Sequence, residues 1–189
     1  MPNEADPRYD RTEADLMEAF LILSRKKQPH SISVQEITRL AGVTRTTFYN
    51  HYVDMPTFVG AAEDRILEDV LAMMKSFRPE GQEEISRMFF RSLCAYIRQN
   101  SFLVQVLASP QASDFIEKAL LMFRRYVSTT LAETGHDSED GFSYALSFGI
   151  GGVVGVLHKW ALGHCAQPPE VISDYLTPLF LDGMRNYLK

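Results

Sequence analysis

The sequence predicts an all-α protein of about nine helices, with an amino-terminal helix-turn-helix domain followed by a larger helical domain. Three observations lead there. Apolar residues recur at helical spacing between Gly and Pro breaks, and no run alternates apolar and polar residues as a half-buried strand does. Residues 33–52, SVQEITRLAGVTRTTFYNHY, set two short amphipathic segments on either side of Gly42, the pattern of a helix-turn-helix. The chain of 189 residues, 46% hydrophobic and 23% charged, has enough apolar material for a core in one or two domains.

The start, MPNEADPRYD, carries acids and prolines with no basic-then-apolar run, so it is neither a signal nor a transit peptide. A flexible tail is expected over residues 1–10. From Thr12 to Lys27, Leu16, Phe20 and Leu23 fall at i, i+4 and i+7; Thr12 and Asp15 resemble a cap, and Arg25-Lys26-Lys27 suits the negative end of a helix dipole. That triplet reads equally well as a solvated last turn or as a phosphate contact.

Gln28-Pro29-His30 breaks the chain, and Ser33 with Glu36 has capping-box spacing for a short helix that points Val34, Ile37 and Leu40 inward. Gly42 supplies the positive φ of a tight turn and Val43 its apolar plug, after which Thr44 caps a second short helix with Phe48 facing the core. These elements make a DNA-binding domain over residues 11–53. Asp54 caps the next helix and Pro56 is tolerated in its first turn. This connecting helix, 54–77, carries Phe58, Ile66, Val70 and Met73, is closed by Arg78-Pro79-Glu80-Gly81, and opens a second helical domain over residues 54–189, to which the resemblance given below assigns effector binding and dimerisation. A domain boundary is expected within or just after it.

Farther on, Ile85, Met88, Phe89, Leu93, Tyr96 and Ile97 form a helical stripe, and Asn100-Ser101 starts a short helix through Leu107 that Ser109-Pro110 interrupts. Ala112 to Thr134 has two apolar faces, one of Phe115, Ala119, Met122 and Tyr126, the other of Ile116, Leu120, Phe123, Val127 and Leu131. Such a wide arc predicts a central helix packed on two sides. Gly135 closes it, Ser138 caps a long helix reaching about Gly163, and Pro168-Pro169-Glu170 opens the last helix. There Ile172, Leu176 and Leu179 should face inward and Pro178 should kink the axis.

Net charge is −5, yet residues 20–52 hold five basic residues and one acid, or +4, which leaves −9 on the rest. One positive end on an acidic body suits phosphate binding at that end. Cys94 and Cys165 stand far apart outside any CxxC pattern, as in a reducing cytoplasm, without disulfide or zinc scaffolding. The uncharged stretch from Gly141 to His158 holds five glycines, Ser143, Tyr144 and Ser147. It reads as a buried helix, with a re-entrant segment as the competitor, and no membrane partner is expected.

Chemistry concentrates in Thr44 to Tyr52. Arg45 can make a bidentate bond to guanine, Thr46 and Thr47 can meet a thymine methyl or a phosphate, and Gln35 on the preceding helix can bond adenine. Tyr49, His51 and the amide at the helix start suit phosphate oxygens; Asn50 and Tyr52 complete the candidate DNA-binding set. The competing reading is a polar, solvated helix hairpin. No local nucleophile, base and orienting acid occur together and no cofactor is implied, so an enzyme is not expected.

The run LAGVTRTTFYNHYVD resembles the DNA-binding signature of TetR-family transcriptional regulators: alanine-glycine-valine, a polar helix start, then Tyr-x-His-[Phe/Tyr]. With the first helix and SVQEI the resemblance covers about residues 11–60. It implies DNA-contact roles for Gln35, Thr44, Arg45, Thr46, Thr47, Tyr49 and His51. Met55 stands where the family often has lysine, so one phosphate anchor is expected to be missing. Phe148 to Leu157 (FGIGGVVGVL), then Trp160, Gly163 and the PPE start of the last helix, resemble regulators grouped with the dihydroxyacetone-kinase activator, a likeness that transfers no ligand.

Gly151, Gly152 and Gly155 strip one helix side of side chains. Each glycine costs about 1 kcal/mol of helix propensity against alanine, which calls for an offsetting gain such as close approach of another backbone. In the family the last two helices form the four-helix interface of a homodimer, so these glycines are assigned to dimerisation, against tight packing within one subunit. Two-fold symmetry would set the recognition helices about 34 Å apart on a near-palindromic operator of double-stranded DNA.

His158, His164 and Cys165 lack metal-site spacing and read as a satisfied histidine or a helix-end cation, the acids of HDSEDG lack the length of a calcium loop and read as helix-start charges, and Arg87, Arg91 and Arg98 read as a solvated stripe, against contact with an anionic effector. Phe89, Tyr96, Met122, Phe123, Tyr126 and Trp160 are pocket candidates for an unidentified small-molecule effector, against plain core. The expected function is a cytoplasmic, dimeric, TetR-like regulator, a repressor released by its effector. A helix-turn-helix-derived adaptor acting through a protein partner is the second reading, kept by Met55 and the short basic inventory.

Overall fold

A computed structural model describes residues 7–76, 82–109, 112–134 and 140–185. Among them the chain forms α1 (Pro7–Ser24), α2 (Val34–Ala41), α3 (Arg45–His51), α4 (Met55–Ser76), α5 (Gln82–Gln99), α6 (Ser101–Ala108), α7 (Ser113–Thr134), α8 (Asp140–Leu162) and α9 (Pro169–Met184), with a single 3₁₀ turn, Pro29–Ser31. The all-α expectation holds for these residues. They divide into two compact units: one runs up to Ile66 and takes in Asn100–Gln105, and the other comprises Leu67–Gln99 and the residues from Val106 onward. The division thus falls inside α4, and the first residues of α6 belong with the amino-terminal helices.

In the first unit α1 starts at Pro7, well before Thr12, so residues 7–10 of the expected tail are helical. Thr12 is no cap: its hydroxyl donates back to the Arg8 carbonyl at 2.9 Å, a mid-helix arrangement. The helix ends at Ser24, which leaves Arg25, Lys26 and Lys27 in the exposed turn beyond it. The end is finished from α6, where the Gln105 side-chain amide donates to the Ser24 carbonyl at 2.7 Å and satisfies one of the orphan acceptors every helix end leaves. Leu16, Phe20, Ile37, Phe48, Phe58 and Phe102 fill the core. Phe20 meets Phe58 edge-on at 5.3 Å and Phe102 at 4.9 Å, geometry that aromatic quadrupoles favour.

The turn chemistry follows the sequence closely. Ser33 and Glu36 form both halves of the capping box. Gly42 takes φ 71°, and the Val43 amide donates to the Thr38 carbonyl at 3.0 Å, which closes α2 as a left-handed cap does. Thr44 caps α3 through the Thr47 amide, and Asp54 caps α4 through the amide and hydroxyl of Thr57 at 2.8 and 2.7 Å. Leu40 is the exception. It is 48% exposed, because Val34, Ile37 and Thr38 already make the short buried arc of α2.

In the second unit α5 packs on α9, and α8 packs on both α7 and α9. The buried arc of α5 is Phe90, Leu93, Cys94 and Ile97, rotated from the expected stripe, so Met88 is exposed while Phe90 lies on Phe180 with ring centroids 5.5 Å apart. Helix α7 is less enclosed than its two apolar faces suggested. Among its described side chains only Phe115 and Ala119 are buried and Leu121 is exposed; Val127 and Leu131 lie outside the described side chains. In α9, Ile172 and Leu176 face inward, but the arc runs on to Met184, with Phe180 packed beside it, and Leu179 is exposed. The expected breaks at Arg78–Gly81 and Gly135 and the cap at Ser138 lie outside the described residues.

Leu146, Ile150 and Met184 form a core cluster flanked by Leu120, Phe123, Ala145, Val154 and Phe180. Two glycines permit this: a Cβ on Gly149 would sit 3.2 Å from the Phe180 ring, and one on Gly183 would sit 3.3 Å from Phe148. By length and composition the Tyr144–Leu162 part of α8 could cross a membrane, and with 33% of it buried it is less enclosed than the buried helix expected, although α7 and α9 pack on it. His158 spends a ring nitrogen on the Leu107 carbonyl at 2.6 Å, the satisfied histidine expected, and the described residues contain no cluster able to hold a metal.

Two glycine substitutions should move stability in opposite directions. At Gly42, φ 71° is strained for any residue with a Cβ, so Gly42→Ala should destabilise by about 1 kcal/mol. Gly60 lies within α4 with open space where a Cβ would go, so Gly60→Ala should stabilise by up to about 1 kcal/mol. Urea unfolding of the two variants beside the parent protein checks both.

Candidate nucleic-acid interface

A helix of seven residues is not stable alone, so α3 depends on its cap and on burial. Thr44 supplies the cap: its hydroxyl oxygen accepts from the Thr47 amide at 3.1 Å and hydrogen-bonds the Thr47 hydroxyl at 2.8 Å. Phe48 supplies the burial and is the only buried side chain of the helix. With Phe48 turned in, Arg45, Thr46, Tyr49 and Asn50 are exposed, Thr44 is exposed just ahead of them, and Thr47 is half-buried. The fold therefore gathers a guanidinium, an amide, hydroxyls and a phenol on one side of α3, with no carboxylate on that helix.

From α2, Gln35 is exposed on the first turn, and Arg39 is exposed four residues on. Arg39 entered the sequence reading only as a charge, although the i, i+4 spacing from Gln35 was available to place it on the same side. The one acid of α2, Glu36, is fully engaged. Its carboxylate accepts from the Ser33 amide at 3.1 Å and the Ser33 hydroxyl at 2.9 Å, and it pairs with Lys27. The Lys27 bond foremost, then the Ser33 amide and hydroxyl, hold its carboxyl at about 2, well below the usual 4.5.

Two expected contacts are placed elsewhere. Tyr52 is 6% exposed, packed edge-on against Phe58 at 4.8 Å with its hydroxyl donating to the Glu13 carboxylate; it belongs to the core and not to a DNA-facing surface. Burial foremost, then the Glu13 bond, raises its pKa, so the phenol stays protonated. His51 is half-buried, its ring stacked on Tyr9 at 3.8 Å and 23°. Desolvation holds its pKa below the ordinary 6.5, against the opposing charge of Glu13. Met55 is half-buried as the first residue of α4 and offers no charge to a phosphate.

The candidate effector residues are dispersed in role. Phe89 and Phe123 meet edge-on at 6.4 Å, and Met122 and Tyr126 are half-buried. Tyr96 donates its hydroxyl to Asp69 at 2.8 Å, and Trp160 is 4% exposed with its indole N–H on the Gln167 carbonyl at 3.1 Å. Trp160 is core, clasping the turn in which His164 and Cys165 take positive φ. The glycines are clearer. Gly151, Gly152 and Gly155 have nothing among the described residues within 4 Å of an added Cβ. Tyr144 and Phe148 on the same helix are 79% and 71% exposed, and Tyr175 and Leu179 of α9 are exposed as well. Phe148 lies against Gly183, which joins the α8 and α9 parts into one apolar face.

A family model described as a transcriptional regulator C-terminal region of the TetR type matches residues 72–182. Among solved structures, the chain is similar to a tetR-family transcriptional regulator from Streptomyces coelicolor, with TM-score 0.73 and 14% identity over 94% of this chain and 82% of that one. It is similar to the fatty acid degradation regulator FadR from Bacillus halodurans, with TM-score 0.62 and 16% identity over 97% and 99%. A third similar structure is the dihydroxyacetone kinase operon activator DhaS, at 0.68 and 15% over 93% and 97%. No curated protein matches the chain. At these identities the structures establish the fold, and the family model establishes kinship.

Acid should act on the helix-turn-helix through Glu36. Because its folded pKa is depressed, its contribution is complete above about 4.5 and is lost as pH falls toward about 2. Glu36→Gln should flatten the pH dependence of unfolding in that window and leave the slope above it unchanged, measured by thermal unfolding from pH 6 downward.

Proposed function

Since the chain belongs to the TetR family of transcriptional regulators, we propose that it is a cytoplasmic, homodimeric repressor that binds a near-palindromic operator and is released by a small-molecule effector. The observation that carries the reading is the polar side of α3: Arg45, Thr46, Tyr49 and Asn50 are all exposed while Phe48 opposite them is completely buried. Arg45 takes guanine through a bidentate bond, Asn50 and Gln35 take adenine, and Thr46 takes a thymine methyl or a phosphate. Tyr49 and Thr44 address phosphate oxygens, which fix register without reading sequence. Arg39 adds a second cation to the same purpose. With Met55 uncharged at the start of α4, few phosphates are neutralised, and the salt dependence of binding is correspondingly shallow.

Dimerisation is supported by the apolar face of α8 and α9. Large exposed apolar patches on regulators of this size mark association sites, and a glycine groove flanked by Tyr144, Phe148, Tyr175 and Leu179 admits the helix of a second copy at short range. The effector binds within the α5–α9 unit, where Phe89, Phe123, Met122 and Tyr126 offer apolar and aromatic surface. It changes operator affinity only by binding one conformation of the regulator better than the other.

Selection from a random duplex pool by the purified protein should enrich a palindrome. Arg45→Ala should weaken binding to the enriched duplex by about 1–3 kcal/mol and relax preference at one position in each half-site, whereas enrichment of no sequence would point to an adaptor. Phe148→Glu should convert the dimer to monomer in sedimentation equilibrium and lower operator affinity with it; a Phe148→Glu dimer would remove α8 from the interface.

A further inference from the structure

Helix α3 has one buried side chain, Phe48. One anchor fixes where a short helix sits but not how it is rolled about that anchor, and base readout needs the roll held within roughly 10–20°. The remaining constraint comes from the first turns of α1. Tyr9 and Glu13 lie at i, i+4 on one side of that helix, and His51 and Tyr52 are the last residue and the C-cap of α3. The Tyr9 and His51 rings stack at 3.8 Å and 23°, and the Tyr52 hydroxyl donates to the Glu13 carboxylate. The Nδ1 of His51 is buried with no hydrogen-bond partner among the described residues, so at that nitrogen the stack, not a hydrogen bond, holds the ring.

We propose that Tyr9 and Glu13 are positioning residues for DNA recognition, which clamp the carboxy-terminal end of α3 through His51 and Tyr52 and thereby set the roll at which Arg45 and Asn50 meet the bases. The proposal rests on the DNA-binding reading above and changes the part of His51: it becomes the α3 half of the clamp and no longer a phosphate ligand. Tyr9 is half-buried and is not among the completely buried side chains Leu16, Phe20, Phe48 and Phe58 that fill the core, so a clamp role and a core role are separable by experiment.

The test uses the full chain and three variants, Tyr9→Leu, Tyr9→Phe and Tyr52→Phe. Affinity is measured for a duplex recovered from a random pool by the wild-type protein, alongside thermal unfolding and the NMR pH titration of His51. Tyr9→Leu and Tyr52→Phe should each weaken binding by about tenfold, the scale of one aromatic or charge-assisted contact, with unfolding midpoints close to wild type. Tyr9→Phe, which keeps the stack, should bind as wild type. In Tyr9→Leu the His51 titration should move up toward its ordinary value as the ring gains water. Wild-type affinity in Tyr9→Leu overturns the proposal, as does equal loss in Tyr9→Phe, which would make the hydroxyl a direct DNA contact, or loss that tracks a falling midpoint. A wild-type protein that recovers no duplex overturns the functional reading and this role with it, whereas an unmoved His51 titration in Tyr9→Leu overturns the clamp alone.

Discussion

The amino-terminal unit depends on the ring of Phe58. It is completely buried and sits 5.3 Å from Phe20 of α1, 5.4 Å from Phe48 of α3 and 4.8 Å from Tyr52. One side chain at the start of α4 therefore touches the helix that presents the polar groups, the helix behind it and the cap between them. Burying a ring of this size stabilises by roughly 1.5–3 kcal/mol, and its edge-to-face contacts add about 0.5–1.5 kcal/mol each. For a seven-residue helix this is decisive, because nucleating it alone in water is unfavourable. The orientation of the exposed face is consequently a property of the aromatic cluster and its neighbours, and α3 has little say in it.

Much of that unit was legible in the sequence because its punctuation is local. A Ser33/Glu36 capping box, a Gly42 that needs positive φ, and oxygen-bearing residues at positions 44 and 54 each solve a problem confined to four or five residues, and each is found as expected. Failures of the reading are tertiary. Thr12 looks like a cap in sequence, but Pro7 can open a helix at N1 without losing a hydrogen bond, so the helix starts earlier. Leu40, Met88 and Leu179 satisfy a helical period yet face outward, because a period fixes which residues share a side and not which side a neighbour covers. Tyr52 and His51 carry polar atoms suited to DNA, and tertiary contact with Tyr9, Glu13 and Phe58 turns them inward.

The glycines of α8 show the opposite case, in which sequence and structure each hold half of an argument. Sequence says that Gly151, Gly152 and Gly155 sacrifice helix propensity at neighbouring positions on one side. In the structure nothing among the described residues occupies the space gained, while Gly149 and Gly183 are filled by Phe180 and Phe148. With Tyr144 and Phe148 left exposed beside the three, the loss of helix propensity and the exposed apolar surface fall on one side of α8.

The division of the chain falls at three places along the backbone. The backbone passes between the units at Ile66–Leu67 within α4, at Gln99–Asn100 ahead of α6, and at Gln105–Val106 within α6. Two of these crossings lie inside helices, where the chain cannot flex without breaking backbone hydrogen bonds. In α6 the last residue on the amino-terminal side is Gln105, whose amide holds the final carbonyl of α1 and whose side-chain oxygen is buried without a hydrogen-bond partner among the described residues. A residue so placed is half satisfied: one bond made, one acceptor stranded. Stranding a buried acceptor costs about 1–3 kcal/mol.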